Sequence, residues 1–84
     1  MKRYPFNMSK HQHDISFRCT RVMNEYDAKC YEGSLTPEEC DKYDALIEGL
    51  DRLLDYGVGI VWLTGKEFSL ARDTVIWANL TRGE

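Results

Sequence analysis

Behind an opening stretch that carries charge but no apolar run, apolar residues recur at helical spacing: Ile15, Cys19, Val22, Met23, Tyr26 and Cys30. At about 100° per residue they fall in one arc about 100° wide, the stripe of an amphipathic helix. Ser9-Lys10-His11-Gln12 reads as a capping box, and Gly33 is a natural stop. The pattern therefore predicts a helix over residues 10–31. Residues 1–8 read as an irregular arm, because Pro5 disfavours helical backbone at Tyr4.

The next start signal is the strongest in the chain. Thr36 is placed to cap, Pro37 takes the first helical position, and Glu39 completes the box. Cys40, Tyr43, Ile47, Leu50 and Leu54 then form an apolar seam, widened by Leu46 and Leu53, and Gly57 ends it. This predicts a second helix over 37–56. The link between the two helices is short, so they are expected to pack as an antiparallel hairpin.

In the last third the period changes. Gly59-Ile60-Val61-Trp62-Leu63 is β-branched and bounded by glycine, which reads as an extended segment. Thr64-Gly65-Lys66-Glu67 repeats the capping-box pattern, so residues 65–80 read as a third helix, apolar almost all the way round. The expected fold is mainly α: a helical hairpin closed by a short extended segment and a third C-terminal helix. The alternative is α+β, with Thr74–Ala78 pairing with 59–63 as a C-terminal β-hairpin.

Composition changes this picture little. The 84 residues are 43% hydrophobic, 30% charged and 12% aromatic, as in an ordinary globular chain. That length is expected to make a single small domain, burying only about 60% of its unfolded surface. The cysteines Cys19, Cys30 and Cys40 are odd in number and widely spaced, which suits a reducing compartment better than a disulfide scaffold. They read as small core thiols. With no signal-peptide pattern and no long apolar run, a cytoplasmic protein is expected.

Charge is distributed unevenly. Residues 1–24 hold five bases (Lys2, Arg3, Lys10, Arg18, Arg21) against one acid, and residues 25–55 hold ten acids against three bases. Within the second set, Asp41, Asp44, Glu48, Asp51 and Asp55 step by three, four, three and four. They form a ladder within an arc of about 80° beside the apolar seam. Like charges at this spacing cost a helix a few tenths of a kcal/mol per pair, so the row weakens its own helix by about 1–2 kcal/mol. Either helix 1 neutralises it, for instance through Arg18 and Arg21, or it is offered to a basic partner, or it is only a solvated face that keeps a small protein soluble.

The expected function is that of a small non-enzymatic interaction protein whose acidic helix docks on a basic protein surface. A basic surface that a small acidic protein covers is often a nucleic-acid-binding groove, and by analogy of size and charge alone a small acidic inhibitor of the sort phages and mobile elements use against a host would fit. The alternative is a nucleic-acid-associated regulator using Lys10, Phe17, Arg18 and Arg21, basic groups interleaved with an aromatic ring. A pI near 5.3 weighs against it. Trp62 and Trp77 lie in the segment richest in spare apolar residues and are expected to close the core or to meet a second copy in a homodimer.

No chemistry is expected beyond binding. His11, His13 and Asp14 are the only ligand-like cluster, but His11 and His13 point to different sides of a helix, and no further ligands converge on them. No nucleophile elbow, phosphate loop or dinucleotide pattern is present, so no catalytic residue, cofactor or metal is assigned.

Overall fold

The computed structural model describes residues 2–82. In chain order they form β1 (Tyr4–Asn7), α1 (Met8–Glu32), α2 (Pro37–Asp55), β2 (Ile60–Leu63) and α3 (Gly65–Arg82). The architecture is mainly α, three helices with a small two-stranded sheet.

Each helix boundary has a local cause. Thr36 accepts from the Glu39 amide at 3.2 Å, and Glu39 accepts from the Thr36 amide at 3.3 Å, so the predicted capping box starts α2. The same reciprocal pair, Thr64 with Glu67, starts α3. Gly33 adopts φ 70°, a conformation costly for any residue with a Cβ, and its amide bonds back to Cys30 and Lys29. The helices are otherwise close to expectation: α1 begins two residues before residue 10 and ends at Glu32, α2 stops at Asp55 with Tyr56 as its cap, and α3 runs on to Arg82.

Two expectations at the start of the chain are corrected. Residues 4–7 are a strand, β1, antiparallel to β2, with Tyr4 opposite Leu63 and Asn7 opposite Ile60. Proline is tolerated there because β1 pairs on one side only, so the missing amide of Pro5 breaks no second ladder. Ser9 does not cap α1. Asn7 does, accepting from the Lys10 amide at 3.2 Å, while the Ser9 hydroxyl accepts from the Gly59 amide at 2.6 Å. The Met8 amide bonds to Gly59 O at 2.8 Å, so the strand hands the chain directly to the helix. The alternative C-terminal β-hairpin is also excluded, since residues 74–78 lie inside α3 and β2 pairs with β1.

The buried core draws on the three helices and β2. Met8, Ile15, Cys19 and Val22 come from α1, Leu50 and Leu53 from α2, Leu63 from β2 and Ala71 from α3. Phe6, Val61 and Phe68 pack against it from the sheet side. Gly49, in the middle of α2, lets α3 come close: a Cβ there would lie 2.7 Å from Leu70 Cδ2. The small inward residues of α3, Ala71, Thr74 and Ala78, fit the same close approach. Cys19 is buried as expected, Cys40 is half-buried, and Cys30 is exposed rather than a core thiol, because the seam of α1 outruns the core near the turn.

Candidate functional site

The sequence places the acids of α2 just beside its apolar seam, and the fold leaves them outside. Asp41, Asp44, Glu48, Asp51 and Asp55 are all exposed. Among the described residues, one of the five makes an ion pair, Glu48 with Arg52 at 3.1 Å, and that partner belongs to the same helix. Asp51 accepts from the Cys19 thiol at 3.5 Å. Burial pushes that thiol up, and the hydrogen bond and charge of Asp51 push it further, so Cys19 stays a neutral donor. Asp44 lies beside the Tyr26 phenol. At about 100° per residue the exposed α1 residues on the Cys19 side of the helix are Ser16, Thr20, Met23 and Asp27, with no base among them. Met23 is 45% exposed, and its sulfur lies 3.9 Å from that of Cys19, so an apolar side chain borders the acids.

The bases of α1 turn the other way. Arg18 donates to the Thr74 hydroxyl of α3 at 3.0 Å and lies over the Trp77 ring. Burial lowers its pKa, against the raising charge of Asp73. Phe17 packs on Trp77 with ring centroids 5.7 Å apart, and Arg21 and Arg82 both lie over Phe17. Arg82 also pairs with the buried Asp14 at 2.6 Å, and His11 approaches the same carboxylate at 3.4 Å. The alternative in which Arg18 and Arg21 neutralise the ladder is not realised: Arg18 bonds to Thr74 of α3, and Arg21 lies over Phe17 of its own helix. Phe17, Arg18 and Arg21 do come together, while Lys10 stands at the first turn of α1, exposed. Thr74, Trp77 and Arg82 complete this cluster and were not legible as partners of α1. The four-residue spacing of Phe17 and Arg21 was the one local signal.

The two tryptophans part company. Trp77 is half-buried against Phe17 and Arg18, whereas Trp62 is 58% exposed on the outer face of the sheet. Ile60 at 60% and Val58 at 69% lie beside it in sequence.

The remaining surface offers little for chemistry. Among the described residues no three His, Cys, Asp or Glu side chains converge as metal ligands, and His13 is exposed away from the His11–Asp14 pair. An open groove of about 360 Å³ lies along α2 between Glu39, Lys42, Tyr43 and Leu46. A smaller one of about 210 Å³ is lined by Arg52, Asp55, Tyr56 and Glu67. In the latter Glu67 accepts from the Tyr56 hydroxyl at 2.8 Å. Burial tends to raise the Glu67 pKa, but bonds from Tyr56 and Thr64 and the charge of Arg3 win, and the carboxyl sits below its ordinary range.

No protein family, characterised protein or solved structure matches the chain. Among the described residues no helix is long and apolar enough to cross a membrane.

Proposed function

We propose that the chain is a non-enzymatic interaction protein that presents the acidic face of α2, with Met23 at its margin, to a basic protein surface. The observation that carries this reading is the exposure of Asp41, Asp44, Glu48, Asp51 and Asp55 with no base from α1 turned toward them. A helix that keeps a row of like charges at a cost of about 1–2 kcal/mol, with no neutralising neighbour helix, recovers that cost when a cationic surface covers it. A groove that ordinarily holds phosphates is the natural complement, and occupying it would inhibit its owner, as the small acidic inhibitors of phages and mobile elements do. The nucleic-acid reading through Phe17, Arg18 and Arg21 is less favoured, since these side chains are already engaged with Trp77, Thr74 and one another.

The test is a binding series against a panel of purified basic nucleic-acid-binding proteins, with polylysine as the non-specific control. A specific complex should form, be displaced by the target's own nucleic acid and weaken steeply with salt. The triple variant Asp44→Asn, Glu48→Gln, Asp51→Asn should fold normally and lose about tenfold in on-rate, the behaviour of charges that steer encounter. Equal binding by the variant, or binding indistinguishable from that to polylysine, would overturn the reading.

We infer in addition that a second copy covers Val58, Ile60 and Trp62, giving a homodimer. Sedimentation equilibrium at micromolar concentration should then show a dimer that Trp62→Ser returns to monomer. A single 9.8 kDa species for the unaltered chain would reject it.

A further inference from the structure

The turn end of the α1–α2 hairpin brings two cysteines to the same level. The register of the antiparallel pair is fixed at two points: the Cys19 thiol meets Asp51, and the Tyr26 and Tyr43 rings stack at 5.2 Å and 18°. Four residues on from Tyr26, toward the turn, is Cys30. Three residues back from Tyr43, toward the same turn, is Cys40. Residues 31–39 between them include the Gly33 cap and the Thr36 capping box, which hold the two helix ends together. Partial burial, then the Asp44 carboxylate and the Cys40 and Cys30 thiols, push the Tyr26 phenol up to about 12. Cys30 is pushed up by partial desolvation and then by Cys40 and Asp27, against a hydrogen bond from Tyr26.

We propose that Cys30 and Cys40 are a redox-modification site that closes to an intramolecular disulfide across the α1–α2 turn. Both thiols are free in this structure. Cys30 is exposed and Cys40 half-buried, which assigns the order of events. The Cys30 thiolate attacks one sulfur of a low-molecular-weight disulfide, forming a mixed disulfide and expelling one thiol. The Cys40 thiolate then attacks the Cys30 sulfur and expels the second thiol. The protein loses two protons and two electrons, and the oxidant becomes two thiols. Because the raised Cys30 pKa keeps the thiolate scarce at neutral pH, closure is slow there and accelerates as pH rises. Cys19, buried and donating to Asp51, takes no part. The bridge shortens the free chain of the unfolded state only over the turn, so it stabilises the hairpin without altering the packing of α3.

The experiment uses the full chain equilibrated with graded mixtures of oxidised and reduced glutathione, quenched with acid and read by intact mass and peptide mapping. The expected result is a monomer lighter by two hydrogens, with Cys30 linked to Cys40 and Cys19 free. Its thermal midpoint should rise by ~10 °C and return on reduction. Cys30→Ser and Cys40→Ser should each instead accumulate a glutathione adduct on the remaining turn cysteine. A stable adduct at Cys30 of the unaltered chain with no bridge, a bridge that includes Cys19, or a disulfide between two chains would each overturn the proposal. The assignment rests on the unaltered chain, so a variant that fails to fold does not shelter it.

Discussion

On the α3 side of α1, guanidinium groups reach into the fold: Arg18 to Thr74 and Trp77, Arg82 to Asp14 and Phe17. On the α2 side, five acids stand in a row, and the one ion pair among them is made within the helix. The two flanks belong to the same small molecule, yet one has turned its charge into architecture and the other has kept it at the surface. What separates them is the presence of a neighbour. Arg18 and Arg82 border the groove between α1 and α3, where aromatic rings and a buried carboxylate wait, whereas the ladder borders a flank whose only α1 residues are neutral or acidic. Net charge does not foretell this. Within the basic segment Arg18 is drawn against α3, while the acids of α2 keep their field toward solvent.

That contrast has a sign that mutation can read: neutralising the α1–α3 flank should weaken the fold, and neutralising the ladder should not. The largest effect is expected for Asp14→Asn, which leaves Arg82 without its carboxylate at a nearly buried position and should cost about 2 kcal/mol in chemical denaturation. A variant as stable as the parent would erase the distinction between the flanks. Next, Arg18→Met keeps the aliphatic stem but removes the bond to Thr74 and the contact with Trp77, for a loss of about 1.5 kcal/mol. Thr36→Ala tests the helix that carries the ladder. Without the side-chain acceptor for the Glu39 amide, the denaturation midpoint should fall by an amount worth about 1 kcal/mol.

The triple ladder change should leave thermal stability equal or raise it by about 0.5 kcal/mol, since it removes repulsion and only one exposed ion pair. Destabilisation beyond that would mean the acids are structural after all. The smallest effect concerns Glu67, the acid outside the ladder that the fold does engage. Its pKa is lower folded than unfolded, so its contribution is present above the ordinary carboxylate range and lost as pH falls through the folded value. Glu67→Gln should therefore flatten the acid limb of a stability-against-pH curve.

The helices were readable because their causes are local. Thr36-Pro37-Glu38-Glu39 and Thr64-Gly65-Lys66-Glu67 each carry their own start, and Gly33 its own stop. The ladder was readable for the same reason, as a periodicity within one helix. The strand at Tyr4–Asn7 was not, because nothing nearby specifies it. Its partner lies across the chain at Ile60–Leu63, and a four-residue segment with a proline has no period of its own. Asn7 displaced Ser9 as the cap of α1 through that same distant pairing, since the bond from Met8 to Gly59 fixes where the helix begins. The fate of Arg18 was hidden likewise. Its position on the helix face was plain, but whether that face met the acids of α2 or Thr74 of α3 depended on how the third helix crossed.

The pairing of β1 with β2 also orders the assembly of the molecule in time. The helical hairpin forms from contacts close in sequence, but joining residues 4–7 to 60–63 closes a loop of roughly 50 residues, an entropic barrier that favours late closure. Until then Ile60-Val61-Trp62-Leu63 is an uncharged, strongly β-prone segment with both edges open, the kind that recruits the same segment of another chain. Docking of Tyr4–Asn7 occupies one of those edges and turns Val61 and Leu63 onto Phe6 and the core. The short strand is therefore a self-supplied guard as well as part of the fold. Its working time would be the interval between hairpin formation and closure, and a refolding yield that falls as protein concentration rises is the expected mark of that interval.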